Sequence, residues 1–287
     1  MLWSNRSAVD TALSCAGGLS LHRSHIPLQN EDAMILEALN YAGTYWKTAP
    51  EFRPHIRYSV NLWARANRCA KAWEEHEENC KRFILSTASK LKQRRTAVIL
   101  GSGLLRDVPW RQLAAVFDTL VLVDLVHLSS MRMTLYGRKY RNVVLNSRDL
   151  SGYDALKTGG AFEPLSFLRQ VPYLDLVVSA NLLSQIGTGA RHRMEQEGAS
   201  SQPEDMLHRL IQAHVDGLSG LPCKVCLLTD TRFDIIDKNG KVHQQEDLLH
   251  GVLVPKVVQQ WDWPVAPFGE ESKDYQIIHK VVASEVR

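Results

Sequence analysis

Two glycines and an acid are the residues best spaced for chemistry. Thr96–Leu100 (TAVIL) reads as a short buried strand, and Gly101-Ser102-Gly103 comes directly after it. Glycine at 101 and 103 lets the backbone turn sharply and leaves room for a ligand against the next helix. A second apolar run, residues 119–125 (TLVLVDL), carries Asp124 near its end, 23 residues after Gly101. A carboxylate there is placed to accept hydrogen bonds from both ribose hydroxyls of an adenosine, and it disfavours a 2′-phosphate. Strand, GxG, strand and terminal acid together point to a bound adenine nucleoside. The dinucleotide fingerprint also asks for glycine at the sixth position, so that helix and strand pack closely under a pyrophosphate. That position is Arg106, which argues against NAD.

These residues need a scaffold, and the apolar pattern supplies one that changes near residue 95. Before it the periodicity is helical. Residues 30–42 read as an amphipathic helix with Asn30 as N-cap, and Pro50 and Pro54 punctuate the next link. Residues 55–92 read as one long helix, with Leu62, Ala66, Cys69, Trp73, His76, Cys80 and Phe83 on one stripe. After residue 95, strands are expected at 96–100, 119–125, 142–145, 174–179 and 224–229. Helices are expected over 108–117, 128–139, 162–169, from about Asn181, and over 203–218, with 187–203 as a loop. Asn239-Gly240 marks a hairpin between 233–237 and 241–244, and 275–286 reads as a last strand. Strands alternating with helices imply an α/β fold with a doubly wound, mostly parallel sheet covered on both faces. The expected division is a helical N-terminal subdomain, residues 1–95, lying over the mouth of a sheet domain, residues 96–287. In such sheets ligands bind beyond the carboxyl ends of the strands. The positions of interest are therefore 101–107, Asp124 and Leu125, 147–150, 179–181 and 230–232.

The segment AVILGSGLLRD…VLVDLVH…LDLVVSANLLSQ, within residues 96–232, resembles the class I S-adenosylmethionine-dependent methyltransferases. The resemblance implies a Rossmann-like seven-stranded sheet, S-adenosylmethionine as cofactor and methyl transfer to a small-molecule acceptor. An RNA acceptor and a non-catalytic nucleoside-binding protein are the alternatives. By the same resemblance, Gly101, Ser102 and Gly103 would face the methionine part of the cofactor. Asp124 would hold the ribose and Leu125 would lie on the adenine. Asp149, with Leu150 beside it, would hold the adenine amino group. Ser179, Ala180 and Asn181 would pass nearest the sulfonium. The chain departs from the family pattern at Ile99, where an acid is common, and at Leu105, where a glycine is.

Methyl transfer requires an aligned nucleophile and, for some acceptors, a base. His127, His250 and Asp230 are the candidate bases, with Asn181 as a further catalytic candidate; His127 is equally placed to cap a helix. Trp261 and Trp263 suit either a substrate pocket or the core, and Glu270 and Glu271 suit either an amine contact or a solvated loop. Cys69, His76 and Cys80 share a stripe with ligand-like spacing, but no second ligand pair lies nearby; packing is the expected role, and no metal is expected. Cys223 and Cys226 enter a buried strand, where i and i+3 point to opposite faces, so that CxxC also reads as structural.

The 287 residues carry 34 basic and 31 acidic side chains, a formal charge of +3, which excludes acidic solvating and histone-like classes. The sum conceals a concentration: residues 81–148 hold thirteen Lys or Arg against three acids. That surplus raises RNA as a partner, though solvated helix faces are favoured because no RNA-binding module is recognisable. Five cysteines, an odd number, fit reduced thiols and a cytoplasmic protein. No apolar run is long enough for a membrane span, and Arg6 and Asp10 spoil any leader-like character of the first residues.

Overall fold

The computed structural model describes residues 29–136, 140–159, 162–198 and 205–286. Arg6, Asp10 and the first of the five cysteines, Cys15, lie outside the described residues, as do Arg138 and Lys139 of the basic segment 81–148. Thr96–Leu100 forms β1, whose five residues are all buried, as an unbroken apolar run demands of a strand covered on both faces. The other parallel strands are β2 (Thr119–Asp124), β3 (Val143–Ser147), β4 (Leu174–Ala180) and β5 (Lys224–Asp237). β6 (Val242–Asp247), β7 (Val257–Ala266) and β8 (Tyr275–Glu285) complete the sheet. Its order is β3-β2-β1-β4-β5-β8-β7, with β8 antiparallel to both neighbours and β6 paired to β5 alone. The continuous path thus has the seven strands expected, and β6 makes an eighth. The direction of winding reverses at β1, with β2 and β3 on one side and β4 and β5 on the other. A crevice opens at such a switch point, immediately after β1.

Helices cover both faces. Before the sheet come α1 (Gln29–Tyr45), a 3-10 turn (Pro50–His55), α2 (Ile56–Arg68) and α3 (Ala70–Ser89). Between strands lie α4 (Trp110–Val116), α5 (Ser129–Tyr136), α6 (Tyr153–Lys157), α7 (Leu183–Gln196) and α8 (Met206–Ser219). Cys80, Phe83 and Ile84 of α3 pack in one cluster with Ile99, Leu122, Val178, Cys226 and Leu228. The opposite face buries Val98, Leu100, Val177 and Leu227 against Ile186 of α7 and Ile211 of α8. Cys223 and Cys226 fall in different clusters, on the two faces.

Several expected boundaries move. Asn30 lies inside α1 rather than at an N-cap. The long helix over 55–92 is broken at Cys69, whose φ of −92° and ψ of 11° leave the helical range. Ala66, Cys69 and Trp73 gather there with Trp263, so packing around an indole sets the bend without a glycine or proline. The expected loop over 187–203 is helical as far as Gln196. Gly187 is tolerated there because α7 and α8 approach closely: a Cβ on it would lie 3.1 Å from Ile211 Cδ1. Residues 224–229 and 233–237 are one strand, kept continuous by pairing with β8 through a register shift between Asp230 and Arg232. Residues 162–169 give only a 3-10 turn over Ser166–Gln170. β7 contains Pro264, which an edge strand accommodates because one side of its ladder is unpaired. Among the described residues no helix is long and apolar enough to cross a membrane.

α1 is fastened to the tip region after β2. Ser129 N donates to Thr44 Oγ1 at 2.8 Å and Ser130 N to Asn40 Oδ1 at 3.1 Å. Two of the first N–H groups of α5 are thus capped by side chains from another helix. Thr44 is fully buried, and Gly43 gives the room, since a Cβ on it would meet Ser129 Oγ at 2.7 Å. Thr44→Val keeps the shape and removes the acceptor. It is expected to cost about 1 kcal/mol, read as a melting temperature lowered by roughly 2–4 °C and restored by Thr44→Ser.

Candidate active site

The site is built from the turns after β1 and β2. Gly101 has φ +71°, a left-handed conformation, and a Cβ on it would stand 2.8 Å from Ala180 O. Gly101 N and Ser102 N both donate to Val123 O, at 3.0 and 3.2 Å, which ties the turn across to β2. Gly103, at φ +46°, has open space where a Cβ would go, with only Gly101 O within 4 Å. Asp124 closes the arrangement. Its Oδ2 accepts from Gly103 N at 2.6 Å and its Oδ1 from Leu125 N at 2.7 Å. Burial raises the carboxyl above its ordinary value, against the pull of N–H groups from Gly103, Leu125 and Val126. Each oxygen keeps lone-pair capacity for a ligand. Arg106, the residue in place of a third glycine, pairs through Nε with Glu77 of α3 at 2.6 Å.

Asp149 and Leu150 come after β3. Asp149 Oδ1 accepts from Ser151 N at 2.7 Å, and Oδ2 lies 3.9 Å from Arg193 Nη1. Leu150 is buried on the α7–α8 face. Ser179 is fully buried with Oγ 3.1 Å from His214 Nε2 of α8, so its side chain belongs to the far face and only its backbone reaches the tip. Asn181 has φ +48° and donates its backbone N–H to Leu228 O at 2.8 Å. Its Nδ2 donates to Asp107 Oδ2 at 2.6 Å, while Oδ1 is buried without a partner, as is Ser102 Oγ. Ser102 follows β1 and Asn181 follows β4, two strands that neighbour each other in the sheet.

The candidate bases part company. His127 is buried, and its Nε2 donates to Asn146 O at 3.1 Å, which joins the segment after β2 to β3. Burial pushes its pKa down to about 4, so it stays neutral as a tether. His250 packs on Gly187 of α7, faces Arg191 Nη2 at 3.2 Å, and its carbonyl accepts from His208 of α8. None of these partners is shared with Gly101, Asp124 or Asn181. Asp230, by contrast, lies on β5 two residues past Leu228, beside Asn181.

His76, Cys80 and Asp107 present ligand-type atoms within 4.8 Å of one another, a trio that sequence spacing misses because Asp107 arrives from the loop after β1. Trp261 Nε1 donates to His76 Nδ1 at 3.0 Å. An indole only donates, so Nδ1 is the acceptor, and Asn181 Nδ2 faces the other ring nitrogen, Nε2, at 3.4 Å. Burial takes His76 down to about 3 and raises the Cys80 thiol well above its ordinary value, which suits a neutral packed cluster. The His76 ring stacks on Trp263 with centroids 4.0 Å apart. Glu270 and Glu271 are engaged by Arg68 and Arg65, each at 2.6 Å.

Sequence reasoning missed His279. Its Nδ1 lies 2.5 Å from Asp230 Oδ2, and Asp230 Oδ1 accepts from Ser184 Oγ. Burial raises Asp230, but the His279 and Ser184 hydrogen bonds outweigh it and hold the carboxyl below the usual range. Four of the thirteen basic residues of 81–148 pair with acids from outside that segment: Lys81 with Glu78, Lys90 with Glu285, Arg95 with Asp175 and Arg106 with Glu77.

No protein-family model matches the sequence, and no curated protein matches it. Similar solved structures include several methyltransferases, all at low identity. The N-methyltransferase NodS from Bradyrhizobium japonicum, in complex with S-adenosyl-L-homocysteine, is 14% identical, covers 74% of this chain and 87% of its own, and has a TM-score of 0.37. The CurJ carbon methyltransferase is 12% identical over 92% of this chain and 72% of its own, with a TM-score of 0.39. An O-methyltransferase family protein from Burkholderia thailandensis is 11% identical over 88% and 70%, with a TM-score of 0.37. Likenesses this loose carry no functional weight; the winding reversal at β1 and the placement of Gly101, Gly103 and Asp124 carry it instead.

Proposed function

We propose that the chain binds S-adenosylmethionine at the tips of β1 and β2 and transfers its methyl group to a small-molecule acceptor. The observation that carries the reading is Asp124, bonded to Gly103 N and Leu125 N beside a turn that only glycine fits. In this reading the 101–103 backbone receives the methionine part, Asp124 the ribose hydroxyls, Leu125 the adenine face and Asp149 the adenine amino group. The orphaned Ser102 Oγ and Asn181 Oδ1 offer a hydroxyl and an acceptor to the amino-acid end and the reacting end. When bound, S-adenosylmethionine supplies a methyl group already activated by its sulfonium.

The helices before residue 96 fit a cover for this mouth. Tyr58 of α2 lies within electrostatic reach of Asp124 and Asp230, and His55 within reach of Asp149 and Arg193. Asn40 and Thr44 fix α1 to the start of α5, just after Asp124. Such a cover excludes water and selects the acceptor.

Thermal unfolding in the presence of S-adenosylhomocysteine tests the reading. At about 100 times its dissociation constant, a ligand of the folded state adds roughly 2.7 kcal/mol. The expected rise in melting temperature is roughly 5–10 °C, with none from NADH. A melting temperature unmoved by S-adenosylhomocysteine at any concentration contradicts the proposal.

A further inference from the structure

We propose that the acceptor is an aromatic hydroxyl and that His279, held by Asp230, takes its proton. The inference rests on the S-adenosylmethionine reading and deepens it.

The first ground is the dyad. His279 Nδ1 donates to Asp230 Oδ2 at 2.5 Å, and Asp230 is further held by Ser184 from the first turn of α7. A neutral imidazole has one donor and one acceptor nitrogen, so a proton fixed on Nδ1 leaves Nε2 bare and basic. Among the described residues His279 Nε2 has no hydrogen-bond partner. The Asp230 side chain is 6% exposed and that of His279 18%, so the carboxylate is enclosed while the imidazole remains reachable.

The second ground is place. Asn181 N bonds to Leu228 O, and Asp230 stands two residues further along β5. Residue 181 closes the segment 179–181 that passes nearest the reacting centre in the proposed reading. The register shift between Asp230 and Arg232 sets Asp230 opposite Val281, with His279 two residues along β8 on the same face. A bulge is a common device for aiming a side chain at a site.

The third ground is the wall. His279 lies between Phe233, with centroids 6.0 Å apart, and Trp263, at 5.8 Å and edge-on. Trp263 Nε1 is a buried donor without a partner. Trp263 and His279 are paired across β7 and β8, so an indole donor and an imidazole nitrogen come from neighbouring rings, a combination that suits a hydroxyl. Among the described residues, the charged and titratable groups around the His279–Asp230 pair include His76 on α3, Tyr58 on α2, and Glu271, itself paired with Arg65 of α2.

Acceptor chemistry then narrows. A neutral amine is already a nucleophile, and a thiol of pKa about 8.5 ionises readily without help. An aliphatic alcohol would yield its proton to imidazole only in concert with methyl transfer, and it makes no use of the Phe233 and Trp263 rings on either side of His279. A phenol, with a pKa of about 10, is a strong enough acid to meet an imidazole base and gains most from one. The hydroxyl proton passes to His279 Nε2, the oxygen forms a bond to the methyl carbon, and the C–S electron pair returns to sulfur. The imidazolium later releases its proton to water. His279 is thus the catalytic residue and Asp230 its positioning residue.

The test needs no turnover. The protein saturated with S-adenosylhomocysteine is titrated with 4-nitrophenol at a pH below that phenol's own pKa, and the phenolate absorption is followed. Wild type is expected to bind the phenol and raise its ionised-to-neutral ratio at least about tenfold, one pKa unit. His279→Gln and Asp230→Asn are expected to bind S-adenosylhomocysteine as wild type does and to lose that rise. Absence of 4-nitrophenol binding, binding without phenolate, or a rise retained in His279→Gln overturns the inference while leaving the cofactor reading intact. Failure of wild type to bind S-adenosylhomocysteine overturns the cofactor reading, and this inference with it.

Discussion

Gly101→Ala is expected to unfold the cofactor turn and to remove S-adenosylhomocysteine binding. Its Cβ would stand 2.8 Å from Ala180 O and 3.1 Å from Leu182 Cβ, at a φ of +71° that L side chains rarely adopt. The clash is with backbone, which cannot rotate away. Left-handed strain of about 1–2 kcal/mol and overpacking of about 1–3 kcal/mol together predict a loss of roughly 2–5 kcal/mol. In a domain of this size that lowers the melting temperature by roughly 5–15 °C. Gly103→Ala is the internal comparison. It has φ +46° but no atom nearer than 3.8 Å, so it keeps only the conformational strain and melts closer to wild type. Differential scanning calorimetry of the two variants checks the order; equal melting temperatures contradict it.

Asp124→Ala is expected to weaken S-adenosylhomocysteine by about 100-fold or more, which corresponds to roughly 2.7 kcal/mol. Two effects combine. The ribose loses its carboxylate, whose hydrogen bonds carry about 1.5–3 kcal/mol each when charged. The turn also loses its brace, because Gly103 N and Leu125 N both bond to this side chain. Asp124→Asn retains one acceptor oxygen and is expected to fall between the two. Isothermal titration at fixed pH and salt measures all three, and wild-type affinity in Asp124→Ala contradicts the assignment of the ribose to this residue.

The parts of this site that lie close in sequence were legible in it. TAVIL before Gly-Ser-Gly, and TLVLVD ending in an acid, specify two buried strands and their tips with little room for another reading. The parts assembled by distant segments were not. Asp230 and His279 meet only because β5 and β8 pair antiparallel with a bulge, and neither strand's pattern announces that register. β7 escaped notice because Gln259, Gln260 and Pro264 interrupt its apolar run, as an exposed edge permits. Cys69 breaks a helix whose apolar stripe runs unbroken through it, and the cause, Trp263, lies almost two hundred residues away. Gly187 and Gly189 read as loop signals, yet α7 passes through both, and at Gly187 the missing side chain makes room for α8. The same limit placed His250 among the bases, where its position after β6 turns it toward α7 and α8.

The most direct measurement is a crystal structure of the protein grown with S-adenosylhomocysteine. Electron density is expected at the tips of β1 and β2, with the ribose hydroxyls on Asp124, the amino-acid end along residues 101–103 and the sulfur on the side of Asn181 and His279. Density bound elsewhere, or a crevice at Asp124 holding no S-adenosylhomocysteine at saturating concentration, contradicts this placement.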